Sequence, residues 1–104
     1  TGAASALKAA ARLKMRIAAI VSRGGRPDLA FEELQDVKAP TLLIVGGLDT
    51  DVLQLNREAF SQLRCIKLIQ VVEGATHLFE EQGTLEQVAE LASHWFKKYF
   101  KMEI

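Results

Sequence analysis

A chain of 104 residues, 49% hydrophobic and 25% charged, is long enough for one small domain with a genuine core and too short for two. Thirteen basic residues offset thirteen acidic ones, so no global field favours nucleic acid, an anionic membrane or an acidic partner, and no apolar run approaches the roughly 20 residues of a membrane span. The lone Cys65 excludes an internal disulfide and fits a reducing, cytoplasmic setting.

The chain opens at Thr1 without a methionine, which reads as a cut end and removes any weight from a missing targeting signal. Residues 1–13 are rich in alanine, the best intrinsic helix former, and small side chains let a helix lie close to a sheet. Residues 15–21 read as a strand, apolar from Ile17 to Val21. Residues 22–28 form a loop, since Gly24, Gly25 and Pro27 break any regular pattern. A short helical turn is expected over 31–37. Pro40 then introduces a central strand over 41–46, as a first-position proline can.

Asp51, with Gln54 three residues on, is expected to cap a helix over 51–63, whose apolar positions Val52, Leu55, Ala59, Phe60 and Leu63 keep a helical period. Residues 66–72 read as a third strand, followed by a loop through Gly74 and His77. The last helix, over 84–100, has Thr84 and Gln87 at capping-box spacing and an apolar face of Leu85, Val88, Ala89, Ala92, Trp95, Phe96 and Tyr99. Lys97, Lys98 and Lys101 near its end complement the helix dipole. Strands alternating with helices imply an α/β fold: a three-layer sandwich with parallel strands, right-handed crossovers and helices on both faces.

Residues 40–50 organise this plan. A short, wholly apolar run suits a strand buried on both faces, and it stops at Gly46 and Gly47 just before Asp49. Side chains that do chemistry in open α/β sheets gather beyond the carboxyl ends of the strands. Asp49 would stand at one such end and His77 at the next. A carboxylate bonded to one ring nitrogen fixes the imidazole tautomer, leaving the other nitrogen to take a proton from a nucleophile near neutral pH.

The wording of three segments goes further. Residues 21–28, 39–49 and 74–81 resemble the C-terminal part of serine α/β-hydrolases, in particular the dienelactone-hydrolase-like branch, over nearly the whole chain and in the right order. The resemblance implies a single partial α/β-hydrolase domain over 1–104, with the three strands as the sixth, seventh and eighth of that fold. It matches Asp49 to the triad acid and His77 to the triad base. The family's nucleophile sits in a Gly-x-Ser-x-Gly elbow. Thr1 and Gly2 resemble the last two residues of that elbow, which puts the nucleophile one position before Thr1 and makes the Thr1 backbone N–H half of the oxyanion hole. Asp51 and Gln82 stand where resembling sequences commonly carry proline. Loss of a triad nucleophile costs on the order of a million-fold in rate, so the chain alone is expected to be inactive. The implied substrate of the parent is a small ester or lactone, with no cofactor and no metal.

Other residues have plainer readings. Asp28 is a rival acid but reads as a turn residue beside Pro27, and Arg23 and Arg26 read as solvated or paired with carboxylates. His94 falls on the polar side of the last helix, the aromatic cluster there reads as core or partner-facing surface, and Cys65 as an inert thiol. Thr1 as an N-terminal nucleophile would explain neither Asp49 nor His77. Gly46 and Gly47 lack the spacing of a nucleotide loop. A non-catalytic alternative remains: an assembly module whose first strand is an unprotected edge, pairing with a copy of itself or with a preceding segment of its parent.

Overall fold

Every residue of the strand Thr41–Gly46 is buried, because it has a neighbouring strand on each side and helical layers above and below. The computed structural model describes Ser5, Leu7 and residues 18–99. In chain order the elements are β1 (Ile20–Arg23), a 3₁₀ segment (Pro27–Asp36), β2 (Thr41–Gly46), α1 (Thr50–Gln62), β3 (Lys67–Val72) and α2 (Thr84–Tyr99). The strands form one parallel sheet in the order β1-β2-β3. Ile20 stands opposite Thr41, and Thr41 opposite Lys67, so all three strands start level and their carboxyl ends share one edge.

The alternation of side chains along β2 divides the core. Leu43 clusters with Leu34 and Ala59, from the 3₁₀ segment and α1, and with Val37 and Leu63, which cap their C-terminal ends. Leu42 and Ile44 face Val72, Val88 and Trp95 on the α2 side. Each fully buried aliphatic side chain contributes about 1.5–3 kcal/mol relative to exposure. Trp95 adds a directional tie: its Nε1–H donates to the Pro40 carbonyl at 3.2 Å, which also accepts the Ile20 N–H at 2.8 Å. At the end of α1, Lys67 Nζ donates to the carbonyls of Phe60 (2.7 Å) and Leu63 (2.9 Å) and lies 4.5 Å from the Phe60 ring centroid. An ammonium there satisfies terminal carbonyls and meets the negative end of the helix dipole.

Several boundaries differ from the sequence reading. The first strand starts at Ile20 and runs to Arg23, with Ala18 and Ala19 irregular. Its partner β2 begins only after Pro40, so the ladder has nothing to pair with earlier. Expectations for residues 1–4, 6, 8–17 and 100–104, including the role of Thr1 and the placement of Lys101, lie outside the described residues; Ser5 and Leu7 are helical, and Leu7 is buried. The short turn expected at 31–37 is a longer 3₁₀ segment kinked at Ala30, with Pro27 pre-set for its first turn. The third strand begins one residue later, at Lys67. Thr84 does not form a capping box. Its hydroxyl donates to the Glu81 carbonyl at 2.7 Å, while the Gln87 N–H goes to the Gly83 carbonyl. Leu85, expected on the apolar face, is 49% exposed. Among the described residues no helix is long and apolar enough to cross a membrane.

Candidate active site

Three loops meet at the carboxyl edge of the sheet. After β2 the chain turns at Gly47 and Leu48, whose N–H groups donate to the Val72 and Ala75 carbonyls at 2.9 and 3.0 Å. These bonds tie the loop after β2 to the last residue of β3 and to the loop that follows it, so Asp49 and His77 are brought together by main chain before their side chains meet. The His77 Nδ1 lies 2.7 Å from Asp49 Oδ2. An ionised carboxylate can only accept, so Nδ1 carries the proton and Nε2 is left with a lone pair in the neutral ring. The Asp49 side chain is 14% exposed and that of His77 54%, so the carboxylate is sheltered while the imidazole opens to one side.

Asp49 occupies the N-cap position of α1, where aspartate ordinarily accepts an N–H from its own helix. Here it makes no side-chain cap bond. The carboxylate is turned to His77, a local preference given up at a site where another use of the group wins. Asp51, expected as the cap, lies inside the first turn instead.

Two glycines admit the His77 loop. A Cβ on Gly46 would stand 2.8 Å from both the Ala75 carbonyl carbon and the Thr76 carbonyl oxygen, closer than real side chains approach. Gly24, at φ +58°, leaves space that a Cβ would fill 3.3 Å from the His77 carbonyl oxygen and 3.6 Å from its Cε1. The loop carrying Gly24 is held from α1, where the buried Asn56 Nδ2 donates to the Gly25 and Val52 carbonyls at 3.0 and 2.8 Å.

The rival acid Asp28 is engaged elsewhere. Arg26 holds it with two bonds of 2.9 Å, and the hydrogen bond from that guanidinium keeps its carboxyl below the ordinary range. Arg23 and His94 are exposed, and the half-buried Cys65 thiol lies 3.7 Å from the Thr41 hydroxyl. Among the described residues no group of three His, Cys, Asp or Glu side chains converges to hold a metal ion. Residue types and spacing gave no role to Glu81 or to Asn56. The structure places Glu81 against Thr76, next to His77, with bonds of 2.9 Å from the backbone N–H and 2.6 Å from the hydroxyl.

Against solved structures, the dienelactone hydrolase from Anabaena variabilis superposes with a TM-score of 0.92 and 54% identity, over 95% of this chain and 46% of that one. The fold is the dienelactone-hydrolase-like α/β fold. Two curated Mycobacterium tuberculosis proteins, from strains CDC 1551 and H37Rv, are each 59% identical over 96 residues, or 92% of this chain. Both are named "Putative phosphoribosyl transferase". The chain spans 22% of the length of each of these curated relatives. No family model matches the chain. The dienelactone-hydrolase-like fold accounts for the three parallel strands ending at one edge, with Asp49 and His77 beyond two of them.

Proposed function

We propose that this chain supplies the acid and the base of a hydrolase that cleaves ester or lactone bonds, with Asp49 orienting His77 and the nucleophile contributed by a segment outside it. The 2.7 Å contact between Asp49 Oδ2 and His77 Nδ1 carries the reading. In the reaction, His77 Nε2 takes the proton from the nucleophile as it adds to the substrate carbonyl and gives it to the leaving alkoxide; it then takes a proton from the water that attacks the acylated nucleophile and returns it to the nucleophile as the acid is released. Asp49 keeps the ring in the Nδ1–H form and stabilises the imidazolium between those transfers. On this reading the chain alone is inactive.

The name of the mycobacterial relatives is compatible with this reading. The aligned 96 residues are 22% of each of those proteins, while 95% of this 104-residue chain is 46% of the dienelactone hydrolase. The relatives are thus about twice as long as that hydrolase. A phosphoribosyl transferase unit has room elsewhere in them, and this chain carries neither the Gly-x-Gly-x-x-Gly nor the Gly-x-x-x-x-Gly-Lys pattern of a phosphate-binding loop.

The test extends the chain at its N-terminal side to the length of the dienelactone hydrolase and follows p-nitrophenyl acetate hydrolysis. Hydrolysis is expected, and His77→Ala is expected to abolish it. An extended protein that hydrolyses equally well with alanine at 77 overturns the assignment.

A second reading concerns assembly. Among the described residues β1 pairs with a strand on one side only, so its other edge presents unpaired backbone groups. That edge suits a strand from a preceding segment of the parent or from a second copy. Light scattering at low micromolar concentration tests it, and a stable monomer argues against an open edge.

A further inference from the structure

Packing alone does little to hold His77. Its side chain is 54% exposed, the following Leu78 is 69% exposed, and the preceding Thr76 is exposed as well. We propose that Glu81 is the positioning residue for His77: its carboxylate closes residues 76–81 into a ring and thereby keeps the imidazole facing Asp49. The inference deepens the reading of Asp49 and His77 as acid and base, and rests on it.

Four observations build the ring. Both oxygens of Glu81 are engaged by Thr76, one by the backbone N–H at 2.9 Å and one by the hydroxyl at 2.6 Å. The Glu81 carbonyl accepts from the Thr84 N–H (3.1 Å) and the Thr84 hydroxyl (2.7 Å), which fastens the far end of the ring to the first turn of α2. Midway round, Phe79 adopts φ +55°, a left-handed conformation uncommon for a bulky residue, and its buried ring joins the core beneath. Phe79 N–H donates to the Thr76 carbonyl at 3.1 Å, tightening the turn that carries His77.

The chemistry selects Glu81 for this task. A carboxylate presents two acceptors in a plane, and Thr76 presents two donors on one side of its backbone. Charge makes both bonds stronger than neutral ones. The hydrogen bond from the Thr76 hydroxyl, with that from its N–H, holds the Glu81 carboxyl below its ordinary range. With both oxygens engaged, Glu81 acts on His77 through Thr76 and not as a competing acceptor.

The experiment uses the chain labelled with ¹⁵N-histidine. His77 and His94 are its two histidines, and His94, exposed on α2, serves as internal reference. In the wild type the neutral His77 ring is expected as the Nδ1–H form. Glu81→Ala is expected to lower the ratio of Nδ1–H to Nε2–H at His77 by about ten-fold, the size of one or two lost hydrogen bonds, with His94 unmoved. Glu81→Gln should restore most of the ratio, since its amide can accept from the Thr76 N–H and donate to the hydroxyl. Thr76→Val removes only the hydroxyl arm, is nearly isosteric, and should fall between them. It decides the matter if the alanine variant does not fold. An unchanged ratio in the folded variants overturns the role of Glu81. A wild-type ring already in the Nε2–H form counts instead against the Asp49–His77 reading.

Discussion

Gly46 and Ala75 stand backbone to backbone, with no room for a side chain between the end of β2 and the loop that carries His77. Gly46→Ala forces that loop away from the strand. Overpacking of this kind costs about 1–3 kcal/mol. Urea unfolding is expected to show the loss, and the ¹⁵N signature of the His77–Asp49 contact should weaken with it. A variant as stable as the wild type would mean that the loop yields freely.

Asp49→Asn keeps the shape of the side chain and changes what it offers to Nδ1. An amide can present its NH₂ group to the ring and stabilise the other tautomer, with Nε2 protonated and unable to act as base. In a polypeptide extended to restore hydrolysis, kcat is expected to fall about 10³- to 10⁴-fold, with KM little changed. A fall of less than about ten-fold would overturn the proposed role of Asp49.

Lys67→Met tests the end of α1. It leaves the Phe60 and Leu63 carbonyls without their ammonium donor and removes the contact with the Phe60 ring, while keeping a long apolar stem. Thermal or urea unfolding should report a loss of about 1–2 kcal/mol. No measurable change would indicate that water replaces the ammonium at no cost.

The Arg26–Asp28 pair gives the fold part of its acid sensitivity. The hydrogen bond from Arg26 lowers the Asp28 carboxyl from its ordinary value of 3.8. A lowered carboxyl contributes stability that is present above that ordinary value and is lost as the pH falls through the lower folded value. Urea midpoints should therefore drop as the pH is taken from about 5 to about 2.5, and Asp28→Asn should make that drop shallower. Equal slopes in the two proteins would show that the pair contributes nothing to acid unfolding.

Much of the fold was legible in the residues. The unbroken apolar run from Leu42 to Val45, bounded by Pro40 and by Gly46 and Gly47, suits a strand covered on both faces, and the helical period of Val88 and Trp95 marks the face that covers it. The placement of Asp49 and His77 beyond neighbouring strands was legible as well, because each follows a largely apolar run that stops at or beside a glycine. Element ends were not. Asp51 and Thr84 have the composition of caps, yet the described helix starts place Asp49 before Thr50 and use the Thr84 hydroxyl on Glu81.

The chain's own order of residues determined the layering and the two side chains beyond the sheet, since hydrophobic period and turn chemistry act over a few neighbours at a time. Only the tertiary structure decided which donor meets which acceptor. The diversion of the Asp49 carboxylate from its helix to His77 and the fit of Gly46 against Ala75 both depend on how parallel strands bring separate loops to one edge. Hydrogen bonds and steric contacts act over about 3 Å, a distance that spacing along a chain does not measure.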